Sequence, residues 1–295
     1  MRTVAVTLFL IGLPSHAHAH GTESHGATAS WTYDPWVVIP LLIAGILYAL
    51  GSSVLARRSV VGSKVRGWHS VAYIAGWLSL TLALVSPLHW LGEHLFTFHM
   101  IEHEIVMAIS APLLVISRPV GTFLWSLPRR HRVAVGRLLR RRVVTATWRW
   151  VSSGGNATLL HGVAIWAWHA PLLFDAAVVN VTAHRLQHLS FLLTALLFWW
   201  SVLRNSESGV AAWHLFITML HTSVLGALMA LAPRVLYAAQ TATALDWGLT
   251  PLEDQQLAGL IMWVPAGTIY AGATLAFTAI WVRHSSISRE SGDAI

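Results

Sequence analysis

Two pairs of histidines stand four residues apart in this sequence, His99 with His103 and His184 with His188. On a helix that spacing puts both imidazoles of a pair on one face, where they can hold one metal ion together. With 17 histidines in the chain, random placement alone gives about one such pair, so the spacing is informative only in context. The context is depth. Both pairs fall in the first turns of long apolar runs, and His169 ends another such run at the same level. Met107 follows His103 by one turn, and Met262 lies about two turns beyond Gln255. The chain has no cysteine, which excludes disulfides, thiolate zinc sites, C-x-x-C redox chemistry and covalent haem attachment. Imidazole suits copper, zinc and iron, and thioether favours Cu(I), so a His/Met copper site is the natural chemistry of this set. Glu102, Asp254 and Gln255 can accept hydrogen bonds from ligating imidazoles and orient them. The competing reading makes these residues helix-packing histidines bonded across spans. His221 sits mid-run, about ten residues or roughly 15 Å below the end of its segment; it is either the floor of a ligand path or a buried polar contact. His69, His89, His94, His131, His214 and His284 are read as packing or interfacial residues.

The elements that must position these side chains follow from composition. Hydrophobic types make up 55% of the 295 residues and charged types 11%, with a mean hydropathy of +0.60. That is too little charge to coat a soluble surface, so the fold class is all-α: a polytopic bundle of transmembrane helices. Seven apolar runs qualify, near 36–55, 68–87, 96–117, 158–173, 182–203, 213–231 and 255–282. The fourth is short, Pro112 is expected to bend the third, and Pro265 to kink or tilt the seventh. Sixteen of the 19 basic residues follow spans 1, 3, 5 and 7, leaving only Arg185 and Arg234 on the other side and Arg2 near the start. The net charge of +7 therefore reads as an orientation signal and not as nucleic-acid binding: N-terminus outside, C-terminus in the cytoplasm.

Residues 1–19 read as a signal peptide: Arg2, a short apolar run, and Ala17-His18-Ala19 as an A-x-A cleavage pattern. Residues 20–35 form an external segment, 36–282 the membrane domain with a basic cytoplasmic loop at 118–150, and 283–295 a cytoplasmic tail. Cleavage after Ala19 gives His20 both an α-amine and an imidazole, near His25, which is a second copper-site candidate; a disordered polar tail is the other reading. The basic loop alternates Arg with Val, Leu and Trp, as either an amphipathic surface helix or a solvated topology signal does.

Four segments together resemble a known family. FTFHMIEHEIVMAISAPLLVISRP (96–119), WHAPLLFD (168–175), HRLQHLSFLLTALLFWW (184–200) and DQQLAGLIMWVPAG (254–267) are similar to CtaG-type cytochrome c oxidase assembly factors. The resemblance implies a non-enzymatic, multi-pass protein of the bacterial inner membrane that helps mature a haem–copper oxidase. It implies copper as the cargo, oxidase subunits and a periplasmic copper donor as partners, and a role for His99, His103, His169, His184, His188 and His221. Two other functions fit the residues. Paired histidines on facing spans can be axial haem ligands. His99-Met100-Ile101-Glu102-His103 also fits the H-x-x-E-H pattern of a metalloprotease, although no further acidic ligand follows it clearly.

Overall fold

The computed structural model describes residues 29–58 and 62–292, with side chains through residue 285. His20, His25 and the signal segment lie outside the described residues. Among the described residues all regular structure is helical. In a bilayer that is the expected solution, because a helix satisfies its backbone groups within one segment.

The chain opens with two long helices, α1 (Pro35–Arg58) and α2 (Ser63–Val85). Outward-facing Ile39, Leu42, Ile43, Ile46 and Leu50 recur every three to four residues along α1, a stripe suited to acyl chains. The Ser86 hydroxyl accepts from Leu88 N at 3.2 Å, and with Pro87 in the first turn it starts a short helix, α3 (Pro87–His94). The third span is composite. It runs from α4 (Phe96–Glu104) through a π-helical segment (Ile105–Ser110) into α5 (Ala111–Ile116). Pro112 lacks the N–H that would continue the α-helical ladder, and the wide turns just before it absorb the misfit. The Met107 carbonyl in this segment accepts from the Trp199 indole at 2.9 Å.

Three helices carry the basic loop, the apolar α6 (Pro119–Ser126) and the arginine-bearing amphipathic α7 (Arg129–Leu139) and α8 (Arg142–Val151). None of them buries a residue. The fourth span differs most from expectation. It begins at Gly154, and α9 (Gly154–Trp168) bends by 72° into α10 (Pro171–Val179) across His169 and Ala170. Pro171 disfavours helical backbone at the residue before it, so the break falls where the sequence places it. The Asn180 side chain accepts from Thr182 N and Ala183 N at 2.8 and 3.1 Å and starts α11 (Val181–Trp200), which ends in a π turn at Ser201–Asn205. Two long helices follow, α12 (Ser208–Ala230) and α13 (Pro251–Gly292), and α13 is continuous through Pro265. Six segments are long and apolar enough to cross a membrane, or seven if α9 and α10 form one broken span.

Contacts between helix ends show which ends lie together. Arg185 at the start of α11 forks onto Asp34 ahead of α1, with Nε–Oδ2 at 2.7 Å and Nη2–Oδ1 at 3.0 Å. Asp254 at the start of α13 bonds to the start of α4. Tyr237, after α12, donates to the His169 carbonyl at the end of α9 at 2.7 Å. At the opposite end Asn205 donates to Ser152 O at 3.0 Å, and Trp148 packs edge-on against Trp200. The histidine-rich end and the arginine-rich end are thus opposite ends of one bundle. Arg185, an exception to the charge asymmetry, is paired with a carboxylate.

Between them lies a core of Phe96, Phe174, Phe191, Phe198, Met100, Met107 and Met262, all buried. Gly226 brings α12 against α13. A Cβ there would stand 2.7 Å from Trp263 N and 2.9 Å from Gly259 O, so only glycine allows this approach.

Candidate metal centre

The start of α4 carries His99, Glu102 and His103, and another helix fixes it in place. Leu95, at its N-cap position, supplies no side-chain cap. The Asp254 carboxylate takes that role instead, accepting from Phe96 N at 2.8 Å, Thr97 N at 3.0 Å and Thr97 Oγ1 at 2.7 Å. Asp254 is 0% exposed. Its oxygens go to backbone and hydroxyl donors, not to an imidazole as its sequence position suggested. Gln255 departs from expectation in the same way: Oε1 accepts from Leu236 N at 2.6 Å, and Nε2 donates to Arg234 O at 3.2 Å, which holds the segment after α12.

Five imidazoles meet around Glu102. His99 and His103 have ring centroids 4.2 Å apart, and His184 and His188 4.6 Å apart. The two pairs face each other, with His103–His188 at 5.0 Å and His99–His184 at 5.7 Å. The fifth is His89 from α3, at 5.6 Å from His184 and 5.9 Å from His188. Glu102 Oε1 lies 2.8 Å from His89 Nδ1 and 3.6 Å from His188 Nε2. His184 Nε2 and His188 Nε2 are 2.8 Å apart. One donor atom each from His89, His184 and His188 falls within 4.8 Å of the other two, a spacing suited to a single metal ion.

From the sequence alone His89 reads as a packing residue. It is solitary, in a segment read as a connection between spans. The available signal was Ser86-Pro87, a helix start placing His89 in a first turn. Gly92 then lets α3 lie on α4, since a Cβ there would stand 3.0 Å from Glu102 Oε2 and 3.3 Å from His99 Cα. Burial pushes the His89 imidazole down, but Glu102, with Glu93 and Asp34, outweighs this and lifts it to about 9. Glu93, one turn on, is pushed up to about 7 by burial, with His89 opposing.

The donor set fits a soft or borderline metal. His103 is 1% exposed, and neither of its ring nitrogens has a hydrogen-bond partner. His188 Nδ1 and His169 Nε2 are also buried and unpartnered. Buried polar atoms ordinarily find partners, so these nitrogens are open to a ligand; His161 Nε2 and His221 Nε2, away from the cluster, lack partners as well. Residues 46–284 match the family described as cytochrome c oxidase caa3 assembly factor. The chain belongs to that family.

Members of the caa3 assembly factor family act in the assembly of cytochrome c oxidase. The matched region takes in the second half of α1 and the candidate spans that follow it, to residue 284 of α13. Two uncharacterized proteins, of Mycobacterium bovis and Mycobacterium tuberculosis, are each 26% identical to this chain over 247 residues. The alignment covers 79% of this chain, which spans only 36% of the length of those relatives. No solved structure matches it.

The remaining family-matching residues stand at different distances from the cluster. His169 occupies the break between α9 and α10. Its Nδ1 bonds Ile165 O at 2.7 Å, and its ring lies 6.1 Å from both Phe174 and Phe191, the aromatic wall behind His99 and His103. His221 is separate. Half-buried between α9 and α12, it accepts from the exposed Trp166 indole at 3.4 Å, while His161, fully buried, bonds Thr194 Oγ1 through Nδ1 at 3.1 Å. Met107 and Met262 are buried core residues. His214 pairs with Thr158 at 3.0 Å near the arginine-rich end.

Proposed function

We propose that this assembly factor holds copper at the histidine cluster and passes it to a copper centre of the oxidase. The observation that carries the reading is the meeting of five imidazoles from α3, α4 and α11 around one buried carboxylate. His89, His184 and His188 are the proposed ligands, because their donor atoms converge. Glu102 supplies negative charge to offset that of the ion and orients His89. His99 and His103 line the next positions, where an ion can exchange partners as it leaves. Bound copper supplies an exchangeable cargo; the protein contributes position, charge balance and exclusion of water. The role is delivery, with no bond made or broken in a substrate.

Haem is less well supported. The imidazoles touch one another edge to face, whereas axial ligation needs two of them parted by a porphyrin plane. A protease reading requires Glu102 to be available as a base, and its carboxylate is 1% exposed and bonded to His89.

The proposed orientation places the cluster outside the cytoplasm, where a periplasmic donor can reach it, with the arginine-rich end inside. A reporter fused at the C-terminus is then expected to read cytoplasmic, and one inserted in the segment 238–243 to read external. The reverse pattern would put the cluster on the cytoplasmic face and remove the periplasmic donor.

The function itself is tested in the host membrane. Deletion of the protein is expected to lower oxidase activity and the copper content of the isolated oxidase while haem is still inserted at least in part. Added external copper should restore some activity by mass action. Copper-replete, fully active oxidase in a strain without any such protein would refute the delivery role.

A further inference from the structure

A second recess, away from the histidine cluster, is at the other end of the bundle. It is a cleft of about 520 Å³ between the end of α1, the start of α2 and the α5–α6 junction. Gly51 frames it. A Cβ at Gly51 would collide with the Thr122 carbonyl, so α1 and α6 close tightly along one wall. Tyr48, stacked on Tyr73 with centroids 3.6 Å apart, forms part of the lining.

The chemistry of the lining is one-sided. Arg66, Arg118 and His69 border the cleft with several Ser and Thr hydroxyls, and no carboxylate does. No ion pair to Arg118 occurs among the described residues. Arg118 is also the one non-glycine residue among them with positive φ, at 52°. A left-handed arginine is strained, and such strain at a charged position within a recess is characteristic of binding sites. The first turns of α2 and α6 border the cleft as well, and neither has a side-chain cap. Ser52, Ser53 and Ser117 donate to carbonyls of their own helices, so the charge of the cleft comes from its cations, and the complement of a guanidinium is an oxyanion.

We propose that this cleft binds the phosphate group of an anionic molecule at headgroup level, with Arg66 and Arg118 as its cations. A cleft at the end of a membrane bundle opens at the depth of lipid phosphates, and basic pockets between spans suit anionic headgroups. Leu55 and Ala56 line the same cleft, and Leu50, exposed one to two turns earlier on α1, continues an apolar surface towards the bilayer. The assignment is independent of the metal centre and of which way the bundle faces.

The test uses the full chain purified in detergent, with melting temperature as the readout. Phosphatidylglycerol is expected to raise it by several degrees, and phosphatidylcholine to leave it unchanged. Arg66→Gln and Arg118→Gly should each remove most of that shift. Arg118→Gly should also melt normally without lipid, because glycine adopts the left-handed backbone freely; an arginine needed only for folding would melt early. Arg137→Gln, on α7, should keep the full shift. If millimolar inorganic phosphate reproduces the shift, the ligand is a soluble phosphate; if only the lipid does, it is a headgroup. An equal shift with phosphatidylcholine, a full shift in both cleft variants, or an equal loss in Arg137→Gln would overturn the site.

Discussion

Replacing His184 and His188 together by Ala is expected to lower Cu(I) binding by the purified protein by more than about a hundredfold, since two of three converging ligands are lost. The quantity of protein in the membrane should not fall. Both residues are on α11, where their Nε2 atoms contact each other and the side-chain cap is supplied by Asn180, so their removal leaves the cap in place. The pair His69→Ala and His214→Ala is the matched control, because His69 borders the distant cleft and His214 pairs with Thr158. Titration with a Cu(I) chelator of known affinity measures both variants. Equal affinity in the two double variants and the wild type would make the cluster a packing device.

Loss of Asp254 should do more damage than loss of any single histidine. Its carboxylate accepts from two backbone amides and a hydroxyl at the start of α4 while 0% exposed. Hydrogen bonds to a charged group contribute roughly 1.5–3 kcal/mol each, and Asp254→Ala leaves buried donors without partners. A destabilisation of about 3 kcal/mol or more is expected, with weaker metal binding because His99 and His103 lie in the next turns. Asp254→Asn keeps one acceptor oxygen, so it should fall between wild type and Asp254→Ala. Unfolding in graded denaturing detergent measures the order; an Asp254→Ala protein as stable as wild type would show that α4 starts by another means.

The membrane class, the approximate spans and the two i, i+4 histidine pairs were legible because each is periodic or local. Hydrophobic runs declare spans, and a four-residue spacing declares a shared helix face. What escaped was set by contacts between residues distant in sequence. His89 and Glu102 are 13 positions apart and meet only because α3 folds back on α4 at Gly92. An acidic residue at a helix start looks like a cap for its own helix or an acceptor for a nearby ligand. Asp254 instead caps a helix 158 positions earlier, which no local pattern announces. The fourth span was placed by its hydropathy, but its 72° bend came from Pro171, a signal present in the sequence and under-read. Pro112 marked the third span as irregular without indicating which irregularity it would be.

The π-helical segment at Ile105–Ser110 has a consequence for rotational phase. Each residue of a regular helix turns the chain by about 100°, so a wide turn that accommodates one extra residue resets which face looks inward. His99 and His103 before it, and Val115 after it, can all be buried without lying on one unbroken helical stripe. The span therefore behaves like two keyed shafts joined at a fixed offset. Removing a single residue between them would restore a regular ladder, yet would swing one shaft by about a quarter turn relative to the other. Either the imidazoles or the apolar half could then face the core, but not both.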